Sequence, residues 1–286
     1  MKVMISGING YLGKLVALKI NEQGHHVSGI QRSLLYGSTA MLANEIKGSD
    51  TIINLSGASI LRRWNRKNKQ LIYDSRIKTT QNLIAAINML PEEFQPESFI
   101  SSSAIGIYKS GEKHNESSTD YDDGFLGKVV RDWEESLNKL PKSTNTVIFR
   151  IGPVLGKTSK TISNLELPFK LGLGGRIASG KQSFPFIHEK DVANAFLWAM
   201  EKPALPGIYN LVAPEKITNS EYTKALAQVL HRPAFIPVPA FLLKLMFGEA
   251  AIMLTKSPIA EPKALVKNGF QFEFPNINSA LKNIFN

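Results

Sequence analysis

The first thirteen residues constrain the fold most. Val3-Met4-Ile5 is an apolar run ending in Ser6-Gly7, and Gly7-Ile8-Asn9-Gly10-Tyr11-Leu12-Gly13 follows with glycine at every third position. Leu12, Leu15, Val16 and Ile20 then share one helical face, and Gly24 stands where a C-terminal cap glycine belongs. Strand, glycine turn and helix in direct succession open a βα unit. The first glycine permits the sharp turn, the second lets a pyrophosphate approach the backbone, and the third lets the helix pack closely on the sheet. The helix N-terminus offers its free N–H groups to an anion. The turn points to a dinucleotide held by Gly7, Asn9, Gly10, Tyr11, Leu12 and Gly13.

The end of the second strand selects between dinucleotides. NAD enzymes place Asp or Glu there, on the ribose hydroxyls. Here the segment reads His26-Val27-Ser28-Gly29-Ile30-Gln31-Arg32-Ser33, and no acidic residue occurs between Glu22 and Glu45. Arg32 is placed to meet a 2′-phosphate with charge-assisted hydrogen bonds. The cofactor expected is NADP(H).

Apolar runs and helical patterns alternate through the first half, which predicts a parallel sheet. Strands are expected at Lys2–Ser6, His26–Gln31, Thr51–Leu55, Ser98–Ser102 and Val147–Ile151, with helices near Tyr11–Gln23, Asn68–Met89 and Phe125–Leu140. Beyond about residue 156 prolines and glycines become dense and strand alternation fades. The expected architecture is α/β: a doubly wound, Rossmann-type parallel sheet with a smaller C-terminal lid. Residues 1–155, with about 186–204 returning, form the cofactor domain, and 156–185 and 205–286 form the lid.

Composition narrows the partners. The absence of cysteine excludes disulfides and thiolate metal sites, and the five histidines lie in no metal-binding spacing, so no metal is expected. No apolar stretch is long enough to span a bilayer and no signal peptide precedes the first strand, so the reading is cytoplasmic with no membrane partner. The formal charge is +10, and the run from Arg62 to Lys69 holds five positive residues in eight. It reads either as a solvated loop or as contact with phosphates of cofactor or substrate. No nucleic-acid module accompanies it, so no nucleic acid is expected. The partner expected is a small-molecule substrate, and the oligomeric state is left open.

The chain resembles the atypical short-chain dehydrogenases called the NAD-dependent epimerase/dehydratase-like, or sugar-nucleotide epimerase-like, family. The resemblance runs through Asn54-Leu55-Ser56-Gly57-Ala58-Ser59, Trp64, Ser75-Arg76, Ser103-Ala104-Ile105-Gly106, Trp133-Glu134 and Arg150 to Gly156. It continues through Gly172 to Gly175, Gly180-Lys181-Gln182, Ile187-His188 with Asp191, Arg232-Pro233, Gly248-Glu249 and Gly269-Phe270. It implies bound NADP(H) with the nicotinamide in a cleft under the lid. It adds Leu55, Ser56, Gly57 and Ser101 to the cofactor set, while Arg76, with Arg62 and Arg63, is placed to collect anions near the pyrophosphate. Gln182 is expected over the substrate. His188 is a substrate candidate, with Asp191 either capping the following helix or orienting that ring.

Related enzymes use a Tyr-x-x-x-Lys pair, in which the lysine lowers the tyrosine pKa. None of the seven tyrosines here has a lysine four residues later. Phe125 or Leu126 takes the tyrosine's place, and Val129 or Val130 the lysine's. Ser103, at the end of a central strand, and Tyr108 are then the catalytic candidates, with a half-buried aromatic at a loop edge as the structural alternative for Tyr108. Two functions follow: an NADP(H)-dependent oxidoreductase or epimerase of the extended short-chain type, acting on a small polar or nucleotide-sugar-like substrate, or a non-catalytic NADP(H)-binding regulator.

Overall fold

The computed structural model describes residues 1–286. The chain opens with β1 (Lys2–Ser6), α1 (Tyr11–Glu22) and β2 (His26–Ile30), then passes through α2 (Arg32–Leu35) and α3 (Thr39–Ile46) to β3 (Thr51–Asn54). Helices α4 (Arg66–Asp74) and α5 (Ile77–Asn88) lead to β4 (Ser98–Ala104), β5 (Lys113–His114), α6 (Phe125–Ser136) and β6 (Asn145–Ile151). Next come β7 (Val154–Leu155), α7 (Lys160–Lys170), β8 (Ile187–His188), α8 (Glu189–Glu201) and β9 (Gly207–Leu211). The C-terminal part holds α9 (Asn219–Val229), α10 (Ala240–Phe247), α11 (Ile252–Thr255), β10 (Ile259–Ala260), α12 (Lys263–Lys267) and α13 (Ile277–Phe285).

Six parallel strands make the central sheet, in the order β2-β1-β3-β4-β6-β9. Side-chain alternation divides each strand between two cores. Val3, Ile5, Ile53 and Phe149 pack with α1 and α8, while Met4, Ile52 and Phe99 pack with α3 and α5. Both faces are covered, which is why apolar side chains of these strands point to both sides. Each fully buried aliphatic or aromatic side chain contributes about 1.5–3 kcal/mol. A third core, between α7, α9 and α13, gathers Phe169, Phe186, Leu226 and Leu281. Strand order turns back at β1, with β2 on one side and β3 on the other, so a crevice opens beyond their C-terminal ends at Ser6, Ile30 and Asn54.

Three details differ from the sequence expectation. The helix predicted over 68–89 is two helices: Ser75 N still donates to Leu71 O, but Arg76 N turns to Tyr73 O, three residues back, while the Ser75 hydroxyl donates to Ile72 O and accepts from Ala58 N. Helix α6 stops at Ser136 and a 3-10 turn, Leu137–Lys139, completes the predicted span. The sixth strand, β9, comes from residues 205–286, assigned wholly to the lid. Its five residues follow Pro206, too short a run to stand out, yet they pair with β6 from Val147 to Ile151.

Candidate functional site

At the crevice, Gly7 adopts φ +77°, and a Cβ there would stand 2.8 Å from the Leu55 carbonyl oxygen. A Cβ on Gly13 would overlap the Gly7 carbonyl oxygen and lie 2.7 Å from Ile8 Cα. Gly10 is the N-cap of α1; no side chain caps that helix, and its first turn has no acidic residue. The N–H groups of Tyr11, Leu12 and Gly13 therefore face the crevice without an internal acceptor. Asn9 sits exposed on the rim. Arg32, exposed, opens α2 just past β2, makes no ion pair, and holds its guanidinium 5.8 Å from the Tyr36 ring centroid.

The opposite wall is Leu55, Ser56 and Gly57. Leu55 N donates to Ser6 O (3.1 Å), which pins this loop to β1. A Cβ on Gly57 would come within 3.1 Å of the Arg76 guanidinium carbon. Arg76 donates from Nη1 to Ala58 O and Ile72 O and lies 5.5 Å from the Trp133 ring centroid, with no carboxylate beside it. Burial pulls its pKa down to about 10, so it stays charged at neutral pH without an anionic partner. Tyr11 lends its backbone to the turn, but its phenol reaches the lid side and donates to the Glu189 carboxylate. Burial first, then Glu189, pushes that phenol well above the usual range. The Gly156 backbone passes so close that a Cβ would overlap both groups.

Further along the sheet the polar groups satisfy one another. Ser101 is fully buried; its hydroxyl donates to Ser102 O and accepts weakly from Asn54 Nδ2 (3.4 Å). That places it behind the crevice, in contact with the loop-anchoring Asn54 and not with open space. Ser103 donates to Glu134 Oε1, and Glu134 receives a bidentate pair from Arg150, Nε at 2.9 Å and Nη2 at 2.6 Å. Arg150 Nη1 donates to Tyr108 Oη (2.8 Å), which donates to Asn210 Oδ1 (2.8 Å). Burial opposes the charge on Arg150, but the hydrogen bonds and charge of Glu134 outweigh it and hold the guanidinium protonated. Tyr108 is 1% exposed and stacks on His114 at 4.8 Å. Burial raises its pKa against the opposing pull of Arg150. Its phenol is thus a buried prop, enclosed more deeply than the half-buried aromatic of the sequence alternative.

Gln182 and His188 occupy contrasting positions. Gln182 Nε2 bridges Ile177 O and Leu254 O, while its Oε1 is buried without a partner. His188 is fully buried against Phe274 and caps α8 through Nδ1, which accepts from Lys190 N (3.2 Å); its Nε2 has no partner. Burial, then Lys190, lowers its pKa to about 4, so the ring is neutral. Asp191 neither caps α8 nor orients the ring. Its carboxylate accepts from Glu273 N (2.7 Å) and Phe274 N (3.1 Å), clamping the C-terminal segment, and burial raises its pKa to about 6 against those two hydrogen bonds.

Sequence reasoning gave Glu134 and Arg150 no role of their own, although a signal was present. An arginine inside Val147-Ile148-Phe149-Arg150-Ile151 puts a charge in a core strand, and such a charge needs a buried partner. Asn54 was missed likewise: it accepts from Ser6 Oγ (2.7 Å) and donates to Thr80 Oγ1 (2.8 Å), tying β1, β3 and α5 together at the crevice floor. No cluster of His, Asp and Glu is arranged to hold a metal ion, and no helix is long and apolar enough to cross a membrane.

The model of the NAD dependent epimerase/dehydratase family matches residues 3–211, which span the sheet and crevice described above. The chain belongs to that family. Epimerase/dehydratase members similar over their whole length include the mouse epimerase family protein SDR39U1, 35% identical over 99% of each chain. The Bacillus subtilis epimerase family protein YfhF is 31% identical over 99% of this chain and 98% of that protein. The crystal structure of human SDR39U1 (isoform 2) with NADPH superposes with a TM-score of 0.92 at 34% identity, covering 99% of both chains. UDP-N-acetylglucosamine 4-epimerase from Bacillus cereus shares the fold, with a TM-score of 0.78 at 19% identity over 100% of this chain and 98% of that one. Residues 238–284 match a separate domain of unknown function, so the segment from α10 to α13 has its own family signature.

Proposed function

We propose that the chain binds NADP(H) across the β1/β3 crevice and acts as an oxidoreductase or epimerase on a small polar substrate of the nucleotide-sugar type. The observation that carries this reading is the glycine cradle. Side chains at positions 7 and 13 would collide with backbone, and the first turn of α1 keeps its amides free for an anion. The residues present fit the group: Arg76 lacks an anion and faces Gly57, and Arg32 stands unpaired where a 2′-phosphate is reached. The NADPH held by the human relative supports the same choice. The nicotinamide supplies or removes hydride when bound. Within the chain, Ser103 is the hydroxyl proposed to meet the substrate, oriented by its hydrogen bond to Glu134. Gln182 Oε1 is the free lid acceptor proposed to contact the substrate, and His188 is proposed to shape the lid's attachment. Tyr108 supports Arg150.

A second reading, a non-catalytic NADP(H)-binding regulator, is favoured by one observation. The helix that would carry Tyr-x-x-x-Lys presents Phe125, Leu126, Val129 and Val130, and the phenol of Tyr108, the alternative candidate, is buried. Nicotinamide absorbance followed across a panel of nucleotide sugars, ketones and quinones separates the two. The enzyme reading expects turnover with at least one substrate, abolished in Ser103→Ala. An absorbance that never changes across the panel leaves the regulator.

A further inference from the structure

The positive charge of the molecule is concentrated. Residues 51–73, 167–182 and 231–248 hold ten of the chain's 34 Lys and Arg and none of its 24 Asp and Glu, so the remainder is balanced at 24 of each sign. The fold joins these three stretches. Ile236 N donates to Gly174 O (3.3 Å) and Val238 N to Arg176 O (2.9 Å). At the other end Arg63 lies against Gly248, and Lys69 pairs with Glu249 at 2.6 Å, just past α10.

The same surface exposes large apolar side chains. Ten of the seventeen that the molecule exposes lie in these stretches, so charge and apolar exposure coincide. Phe235 is 86% exposed, Phe241 74%, Leu245 70% and Met246 60%, the last three on α10 around Lys244. Trp64, Arg66, Lys69 and Phe125 border an open hollow of about 410 Å³ beside them.

We infer that this face docks peripherally on an anionic lipid bilayer. Phe241, Leu245 and Met246 enter the boundary between headgroups and acyl chains, and Arg66, Lys67 and Lys244 lie among the lipid phosphates. Apolar side chains set among a strong excess of basic ones are what an interfacial helix presents to such a surface. A second copy fits poorly, because a two-fold contact would set this cationic patch against itself. Nucleic acid fits poorly too, since protruding Leu and Met side chains offer no flat stacking platform. Eight residues of α10 lie on a membrane and do not cross it. The inference concerns surface contact alone, departs there from the sequence expectation of no membrane partner, and stands independently of the proposed function.

Co-sedimentation of the full chain with phosphatidylcholine vesicles, with and without phosphatidylglycerol, tests this. Binding is expected with the anionic vesicles only and is released by high salt. The pairs Phe241→Ser/Leu245→Ser and Arg66→Glu/Lys67→Glu should each weaken it about tenfold or more. Both should keep the parent's thermal unfolding and NADPH titration, because these side chains are solvent-facing. No binding to anionic vesicles, equal binding to neutral ones, or indifference to both variants overturns the inference. So does tighter capture by polyglutamate, a model acidic protein, than by anionic vesicles, or a stable dimer that the variants dissolve.

Discussion

Helices α1 and α8 pack against one another on the same face of the sheet, yet their N-termini are built in opposite ways. Helix α1 starts at Gly10 with no side-chain cap and no acidic residue in its first turn. Helix α8 starts at His188, whose ring caps it, and its first turn carries Glu189 and Asp191. One terminus lacks any side-chain acceptor; the other is capped by the His188 ring, while Glu189 turns to Tyr11 and Asp191 to the amides of Glu273 and Phe274. The same contrast separates the glycine turn from Ser103–Glu134–Arg150–Tyr108, where each polar group is consumed by a neighbour. The cofactor turn is recognisable here by what the chain leaves unsatisfied.

The most damaging way to break this contrast is to fill the open end. Gly13→Val drives a side chain into the Gly7 carbonyl and Ile8. It should cost about 4–5 kcal/mol or prevent folding, and remove NADPH binding, read by urea unfolding and titration. Breaking the closed network comes next. Glu134→Ala leaves the 1%-exposed Arg150 without its carboxylate and should cost about 3–4 kcal/mol. Glu134→Ala/Arg150→Met should recover more than half, and NADPH affinity should stay within about threefold in the rescued protein.

The capped end has its own pH signature. His188 has its folded pKa lowered to about 4, below the unfolded 6.5, so its contribution is present above pH 6.5 and lost as pH falls toward 4. Asp191 has its folded pKa raised to about 6, above the unfolded 3.8, so its contribution is present below pH 3.8 and lost as pH rises through 6. The two oppose each other between about pH 4 and 6 and nearly cancel in the parent. His188→Asn should become more stable as pH falls across that window, and Asp191→Asn less stable, each by about 2–3 kcal/mol in urea unfolding.

Converting one end into the other sharpens the comparison at smaller cost. Gly10→Asp gives α1 a capping carboxylate in the place of an external anion. The free protein should gain about 0.5 kcal/mol while NADPH binding weakens about tenfold or more.

The open end was legible because it is local. Strand, glycine spacing and helix face all lie within residues 2–20, and missing side chains are visible in a sequence as glycines. Arg32 was legible for the same reason, as the lack of any acid between Glu22 and Glu45 is itself a pattern. The closed network spans Ser103 to Asn210, and which acid meets Arg150 depends on how α6 lies over β4 and β6. Local periodicity carries no record of that. Tyr108 looked available because burial is set by β5, β9 and their neighbours, distant in sequence. Asp191 looked like a cap because it stands in the right turn, but the amides it accepts from are those of residues 273 and 274.

The central claim is that the unsatisfied turn at 7–13, with Arg32 beside it, holds a dinucleotide bearing a 2′-phosphate. Calorimetric titration of the parent and Arg32→Ala with NADPH and with NADH tests it directly. The parent should bind NADPH about tenfold or more tighter than NADH, and Arg32→Ala should bring the two affinities together. No heat with NADPH, or tighter binding of NADH by the parent, would contradict it.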